Sequence, residues 1–397
     1  PATIVGGSTT NLSAQIAPVL DTAGFVSSEF HVHGINSADS RVSDENRVKG
    51  YAAEGVDNLI MTDHHVHTDL TPTIASLGLG SWLSATVGEE ITTFDSGHYN
   101  AYPLLVDPSR ISKGSTDWAV AAPPGMDFPS AGAFNLTPAE VFTLATTGAT
   151  STPDTTVQIN HIDSHFAPLK IDTSLVPPSD GLTAPERTER RLDEPVTTNL
   201  FFAFPALELW NGAGRGAQSQ FLDERMGIWF NLLNQGLNTT FIADTDSHRF
   251  TNLNYAGART WTAAAPGSDT ADTVDGGEVA NMVDAGKATG GQGIFVTTRL
   301  RATDGSGGEA SLEHDASTTV TDAGGNVELD IRVQAPVWAP FDTIEVYANA
   351  ATTPVDPLNP YLYSATPTST FSEGDCSAAS VFEEATWGEL KVMFNGR

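Results

Sequence analysis

The 397-residue sequence predicts an α/β fold, a distorted barrel of strands and helices followed by a small antiparallel β-sandwich. Three observations lead there. Strand-like and helix-like patterns alternate from about residue 28 to 275, as in chains that cover a largely parallel sheet with helices. Apolar runs end abruptly in histidine and aspartate at three separate places, Phe30-His-Val-His33, Ile60-Met-Thr-Asp-His-His65 and Asp244-Thr-Asp-Ser-His248. Barrel enzymes of this type keep their chemistry at the C-terminal ends of the strands. From about Gly290 the helical pattern stops, and 293–300, 327–333 and 343–347 alternate apolar and polar residues, as half-buried antiparallel strands do.

The elements follow in order. Residues 1–27, with two short apolar patches, read as a lead-in, and the start at Pro1 suggests a mature chain or a piece of a longer one. A strand over 29–33 ends in His-x-His. Ser43 caps a helix over 44–54 that has acids in its first turn and Gly55 as its stop. A strand over 56–62 leads into Asp63-His64. Another over 82–92 carries Gly88-Glu-Glu-Ile91, and one over 98–106 opens with Gly97-His-Tyr-Asn100. Residues 107–134, rich in Gly, Pro and Ser, read as a long surface loop. Thr137-Pro-Ala-Glu140 is a capping box with proline at the first helical position, and its helix ends near Gly148.

A strand over 157–161 terminates in Asn160-His161, and 164–198 is a second irregular stretch. Leu207-Glu-Leu-Trp210 forms a strand. A helix over 218–235, apolar at Phe221, Met226, Trp229, Phe230 and Leu233, is stopped by Gly236. The strand over 239–244 runs into Asp246-Ser-His248. The boundary between the two parts falls near 265–290, and a helix over 278–285 fits either side. The expected domains are a barrel over 28–275 and a sandwich-like unit over 276–350. Residues 351–397, rich in Pro, Ser and Thr, are expected to be irregular.

Composition narrows the function classes. A net charge of -30, from 19 Lys+Arg against 49 Asp+Glu, argues against nucleic acid as a partner, because polyanion binding runs on lysine and arginine. Such surfaces suit secreted, periplasmic or cell-surface proteins. No run approaches the roughly 18 apolar residues that span a bilayer. The lone Cys376 removes a disulfide framework and a multi-cysteine zinc site from consideration.

Metal binding is the chemistry the polar strand ends suggest. Alternate residues of a strand face the same way, so His31 and His33 can hold one ion together. Asp246-x-His248 repeats the arrangement on a distant strand. Asp39 follows in a loop, His64 ends a strand, Glu89 or Glu90 offers a bridging carboxylate, and His98 and His161 sit at strand ends. Imidazoles mixed with carboxylates suit zinc, manganese or iron, and spacing does not choose among them. Ions a few ångströms apart lower a bound water's pKa to about 7 and polarise the oxygen under attack, so no serine or cysteine nucleophile is needed. Asp63 and Asp244 are placed to orient imidazoles. Arg41, Arg47 and Arg249 flank the motifs as the available cations for an anionic substrate, His65, His67 and His165 are candidates to contact a leaving group, and Trp210 and Asn211 at a strand end are candidates to line the pocket.

Taken in order, His31-Val-His33, Asp39, Thr62-Asp-His64, Gly88-Glu-Glu-Ile91, Gly97-His98, Asn160-His161 and Asp246-Ser-His248 resemble the successive metal motifs of the PHP (polymerase and histidinol phosphatase) superfamily, over roughly residues 28–260. Gly97-His-Tyr-Asn-Ala-Tyr-Pro-Leu104, Glu208-Leu-Trp-Asn-Gly212 and Pro336-Val-Trp338 resemble more closely its carbaryl-hydrolase-like branch, CehA/McbA. The resemblance implies a (β/α)7-type barrel and three ions. His31, His33, Glu90 and Asp246 would hold the first, Asp39, His64 and His248 the second, and His98 and His161 with Glu90 the third. Asp39 stands where several members have histidine. Glu90 is preferred to Glu89 because it directly precedes Ile91; a ligand at Glu89 would reverse the strand's phase.

Two functions follow. One is a hydrolase that cleaves a small-molecule phosphoester, or a carboxyl or carbamate ester, with metal-bound hydroxide. Asp246, His64 and Glu90 would be catalytic, and Arg41, Arg249 and His165 would bind substrate. The other is a non-catalytic, metal-stabilised module of a larger extracellular or filamentous assembly.

Overall fold

The computed structural model describes residues 18–93, 97–116, 136, 138–162, 203–234, 237–250 and 257–302, and beyond these 309–310, 326–336, 341, 343–347, 352–356, 359–367, 369–372 and 385–395. In chain order the elements are β1 (Phe25–Glu29), α1 (Asp44–Ala53), β2 (Asn58–Met61), α2 (Thr71–Leu77), β3 (Ser84–Val87), β4 (Glu89–Thr92), β5 (His98–Leu104), α3 (Pro138–Thr147) and β6 (Ser151–Ile159). Then come β7 (Ala206–Asn211), α4 (Gly214–Gln220), a π turn at Phe221–Arg225, α5 (Met226–Asn234), β8 (Thr240–Asp244), β9 (Arg259–Ala263), α6 (Gly276–Asp284) and β10 (Ala288–Gly291). The chain closes with β11 (Phe295–Ala302), β12 (Glu309–Ala310), β13 (Asn326–Pro336), β14 (Thr343–Val346), β15 (Thr352–Asp356), β16 (Asn359–Ala365), β17 (Ser369–Ser372) and β18 (Ala385–Asn395). It is a mixed α/β protein with several sheets and few helices.

Two five-stranded sheets carry the first part, ordered β10-β9-β1-β2-β3 and β4-β5-β6-β7-β8. The expected largely parallel sheet is corrected here. Pairs β1/β2, β2/β3, β6/β7 and β7/β8 are parallel, while β1/β9, β9/β10, β4/β5 and β5/β6 are antiparallel. For β4 and β5 the cause is the connection, which is too short for the crossover that parallel neighbours need.

The strand expected over 82–92 breaks at Gly88, so that β3 pairs with β2 and β4 with β5. A Cβ at Gly88 would sit 3.0 Å from Ala101 O, Met61 O and Ile60 Cγ2, so glycine lets the chain step between sheets there without pushing on its neighbours. The sheets also meet at two isolated parallel bridges, Val32↔Ser247 and His64↔Glu90. Followed through them, β1, β2, β4, β5, β6, β7 and β8 each neighbour the next, and the end of β8 returns to β1.

Helices form where local signals agree with burial. Ser43 accepts from Asn46 N at the start of α1, which buries Val48 and Tyr51 against Leu59, Met61 and Leu70. Leu59 and Met61 cannot be exposed without opening that cluster, and burying side chains of this size contributes about 1.5–3 kcal/mol each. The helix over 276–284, which the sequence could assign to either part, places Val279, Ala280 and Val283 in one core with Val26, Phe30, Ile60 and Ile242. The helix expected over 218–235 starts earlier, at Gly214, and widens into the π turn before α5.

Beyond residue 290 the antiparallel expectation holds. The sheet β12-β11-β13-β18 is accompanied by the pairs β14/β17 and β15/β16. Residues 351–397, expected to be irregular, carry β15 to β18, a correction that period-2 patterning did not announce in so Ser/Thr-rich a stretch. Strands β9 and β10 were not anticipated either. Among the described residues no helix is long and apolar enough to cross a membrane.

Candidate metal centre

Strand ends from both sheets meet at one place. Val32 is buried in the core, so His31 and His33 on either side of it point together into the opposite space. Glu90 arrives from β4, and the bridge to His64 brings in the end of β2. His98 starts β5, and His161 follows β6. Asp246 and His248 follow β8, whose extension is bridged to Val32. His161 and Asp246 both hold a left-handed backbone with φ of 46°. Such a conformation is unfavourable for a residue with a Cβ and persists where surrounding contacts enforce it, commonly at functional sites.

The inner atoms are close. His31 Nε2 lies 3.3 Å from both Glu90 Oε2 and Asp246 Oδ1. His33 Nε2 lies 3.3 Å from the same Glu90 oxygen and 3.2 Å from the same Asp246 oxygen. All four atoms are buried, and none is aimed as a hydrogen bond. Two donors each about 2.0–2.2 Å from one tetrahedral ion stand about 3.3 Å apart, so this ring fits a shared cation.

Asp39 Oδ2 lies 3.0 Å from His64 Nε2 and 2.9 Å from His248 Nε2, with His33 in reach of the same group. Glu90 Oε1 lies 2.9 Å from His98 Nδ1, and Glu90, His98 and His161 form a third group able to hold an ion. His161 Nε2 is also 3.1 Å from Asp246 Oδ2, and His31, His161 and Asp246 form another such group.

The outer atoms are tied as metal-binding imidazoles usually are. His31 Nδ1 is 2.7 Å from Glu208 Oε1, His33 Nδ1 3.2 Å from Ser37 Oγ, and His64 Nδ1 2.6 Å from Thr92 Oγ1. Asn160 Nδ2 donates to Glu90 Oε1 at 3.3 Å. Arg47 Nε donates to His33 O, and its terminal nitrogens donate to Ser247 Oγ and Ser247 O, which locks the end of β1 to the end of β8.

Electrostatics set the protonation. Burial alone would lower the pKa of His31, but the Asp246, Glu90 and Glu208 carboxylates outweigh it and raise it well above the usual range. The same contest lifts His33 to about 9 through Asp246 and Glu90. Burial works against ionised Glu90 and Asp246, yet the surrounding imidazoles hold both well below the usual carboxylate range. His64 goes the other way, lowered to about 4 by burial despite Glu90 and Asp39. The field that keeps protons on His31 and His33 would equally hold a divalent cation, with protons released on binding.

The nine sequence-derived ligand candidates His31, His33, Asp39, His64, Glu90, His98, His161, Asp246 and His248 are therefore neighbours in space. Glu90 faces the cluster; Glu89 faces away, with Oε2 3.2 Å from His67 Nε2 and both oxygens accepting from Thr116 N. Arg41 and Arg249 line a cavity of about 400 Å³ together with Asp39 and His248. His165 lies outside the described residues.

Three expectations are corrected. Arg47 is buried in the latch just described rather than open to a substrate. Asp63 accepts from Gly34 N and Thr68 Oγ1 and, among the described residues, orients no imidazole. His67 is buried between Glu89 and Leu105 O. The residue sequence reasoning missed is Glu208, fully buried, which also accepts from His161 N at 2.6 Å and Asn211 Nδ2 at 3.1 Å. Its signal was present: one acid inside the apolar strand Ala206-Leu-Glu-Leu-Trp210.

Fold and site together define a mixed α/β chain with a carboxylate-bridged histidine cluster suited to divalent metal. No family model matches the chain, and no curated protein matches it. Solved structures are similar at low identity. A two-domain protein from Bacteroides vulgatus containing a predicted PHP-like metal-dependent phosphoesterase is 14% identical, with TM-score 0.39, over 96% of this chain and 91% of that one. PsfC from Pseudomonas syringae is 15% identical, with TM-score 0.32, over 63% of this chain and 87% of its own. A protein from Bifidobacterium adolescentis, provisionally named a metal-dependent phosphoesterase, is 15% identical, with TM-score 0.28, over 57% and 89%. At these scores they are likenesses only, and function has to be read from the side chains.

Proposed function

We propose that the chain is a metal-dependent hydrolase of the PHP type, nearest the CehA/McbA branch, acting on a small-molecule phosphoester or a carboxyl or carbamate ester. One observation carries the reading: four buried donor atoms from His31, His33, Glu90 and Asp246 face one another at 3.2–3.3 Å without directed hydrogen bonds. Without a cation these groups need protons on His31 and His33 to offset the two carboxylates, and a divalent ion takes that place with donor spacing to match. In this reading β1, β2, β4, β5, β6, β7 and β8 make up a distorted (β/α)7-type barrel, the strands from β11 onward are a sandwich-like appendage, and the acidic chain works outside the cytoplasm.

His31, His33, Glu90 and Asp246 would hold a first ion, Asp39, His64 and His248 a second, and His98 and His161 with Glu90 a third; zinc, manganese and iron all suit the donor set. When bound, such ions supply Lewis acidity toward the ester oxygen and toward water. The protein supplies the rest. Glu90 is shared among the groups and keeps their donors at fixed spacing. Asp246, held ionised, can take a proton at its carboxylate from the attacking water. His64, neutral at pH 7 and at the open edge, presents Nε2 toward Asp39 while Thr92 Oγ1 at Nδ1 fixes its ring, so it positions the second ion on the leaving-group side. Arg41 and Arg249, exposed on the cavity beside Asp39, attract an anionic ester.

The test is metal analysis of the purified chain with turnover of 4-nitrophenyl phosphate, bis(4-nitrophenyl) phosphate and 4-nitrophenyl acetate, native against His64→Ala. Metal-dependent turnover lost in the variant is expected. A fully loaded native chain inert toward all three would favour the non-catalytic module instead.

A further inference from the structure

The cluster opens on two sides, and only one carries the arginines already discussed. On the other, an open cavity of about 680 Å³ reaches His64 and His65 and is lined along one side by Arg110, Ile111, Ser112 and Lys113, in the segment after β5. Cations are scarce in this chain, 19 Lys+Arg among 397 residues, of which five are lysine. Two of them flank the same cavity as a candidate ligand, Arg110 beside Asp107 and Lys113 beside Asp44, which keeps cationic charge at this rim of an acidic chain.

The segment is fixed from beneath. Asp107 N donates to Lys113 O, Arg110 N to Asp107 O, and Lys113 N to Arg110 O, which closes the turn on itself. His67 N donates to Ser112 O, and His67 Nδ1 lies 2.7 Å from Leu105 O. At the far end both Glu89 oxygens accept from Thr116 N, and Thr150 Oγ1 donates to Gly114 O at 2.8 Å. Glu89 and His67 are fully buried. Thus one short strand, β4, offers Glu90 to the metal centre from one face and anchors the cationic turn from the other. Lys113 holds a left-handed backbone with φ of 55°, and Ile111 is fully exposed at the tip.

We propose that Arg110 and Lys113 form a second anion subsite, so that the preferred substrate carries a carboxylate or phosphate away from the scissile ester, with an apolar linker lying along Ile111. The subsite deepens the hydrolase reading and rests on it only in taking the anion to belong to a substrate. A pre-positioned cation pair gains more from an anion than a mobile one, because less side-chain and loop ordering opposes binding.

The experiment measures dissociation constants on the full metal-loaded chain by calorimetry for benzyl phosphate and 4-carboxybenzyl phosphate, together with their turnover. In the native protein the added carboxylate should tighten binding about tenfold, the size of one or two charge-assisted hydrogen bonds at a partly exposed site. Raising salt to about 0.5 M should shrink that gain by screening. The double variant Arg110→Gln, Lys113→Asn should lose the gain; asparagine tolerates the left-handed backbone, and a thermal melt checks folding. Equal affinity of the two probes for the native chain overturns the subsite, as does a gain the variant retains or the failure of either probe to bind. A carboxylate preference without turnover overturns the phosphoesterase form of the hydrolase reading and leaves the subsite standing.

Discussion

Replacing Glu208 by glutamine separates metal positioning from fold maintenance. Glu208 is fully buried and accepts from His31 Nδ1 at 2.7 Å, His161 N at 2.6 Å and Asn211 Nδ2 at 3.1 Å. The amide keeps the volume and one acceptor oxygen, so a bond to His31 survives as a neutral one. Its NH2 group faces the His161 N–H as a second donor, and that bond is lost, at about 1.5–3 kcal/mol. Asp244 beside it, raised well above its usual range by burial and then by the Glu208 charge, is protonated and holds no repulsion for the amide to relieve. Stability of the metal-free chain should therefore fall by about 1.5–3 kcal/mol. Metal affinity should fall about 10- to 100-fold, the usual effect of removing the partner that orients a ligating imidazole. Competition with a chelating dye reads the affinity, and urea unfolding of the metal-free chain reads stability. Affinity within threefold of native would refute the reasoning, as would a stability loss that accounts for the whole change.

Three further outcomes are expected. Metal uptake should release protons and strengthen from pH 7 to 9, because a cation must displace the proton that His33 holds to about 9; calorimetry in buffers of different ionisation enthalpy counts them. For the metal-free chain the sign is opposite: a histidine raised from 6.5 to about 9 on folding contributes stability that is complete below pH 6.5 and is lost as pH rises through 9, so its melting temperature should drop between pH 7 and 10. Arg47→Met should cost about 3–5 kcal/mol in denaturant unfolding, since it removes the charged donors that join His33 O to Ser247 and leaves buried carbonyl oxygens unmet. Gly88→Ala should cost about 1–3 kcal/mol, because two of the three atoms 3.0 Å from the new Cβ are backbone oxygens that cannot rotate aside; a melting temperature equal to the native value would refute it.

The ligand candidates were legible because their signals are local. A buried strand does not end in His-x-His, Asp-His or Asp-x-His without a partner for those groups, and the period of two fixes which of them share a face. Ser43, Gly55 and the Pro138 helix start were legible for a similar reason, since caps and stops act over three or four residues. What escaped depends on contacts across long sequence separations. Glu208 looks like part of a strand until His31, 177 residues away, is seen against it. Arg47 looks like a helix-surface cation until Ser247, 200 residues away, closes on it. Strand β9 runs antiparallel to both of its neighbours, β1 and β10, an arrangement the strand–helix alternation gives no reason to expect.

These long-range contacts explain why the polar groups sit where two sheets meet rather than within either. A hydrogen-bonded sheet interior satisfies its backbone groups with neighbours, and side chains there pack as core. At Val32↔Ser247 and His64↔Glu90 the ladders shrink to single bridges, and side chains take over the joining: Arg47 across one seam, and Glu90 with His64 across the other. A cation shared by His31, His33, Glu90 and Asp246 would bind residues that lie on both sides of both seams. Metal removal should consequently loosen the ring at the seams first, with amide exchange at Val32, Thr62 and Ser247 accelerating before that at Leu207 or Ile242 in the interior of the second sheet. Uniform acceleration across the two sheets would mean that the cluster, whatever its chemistry, does not hold them together.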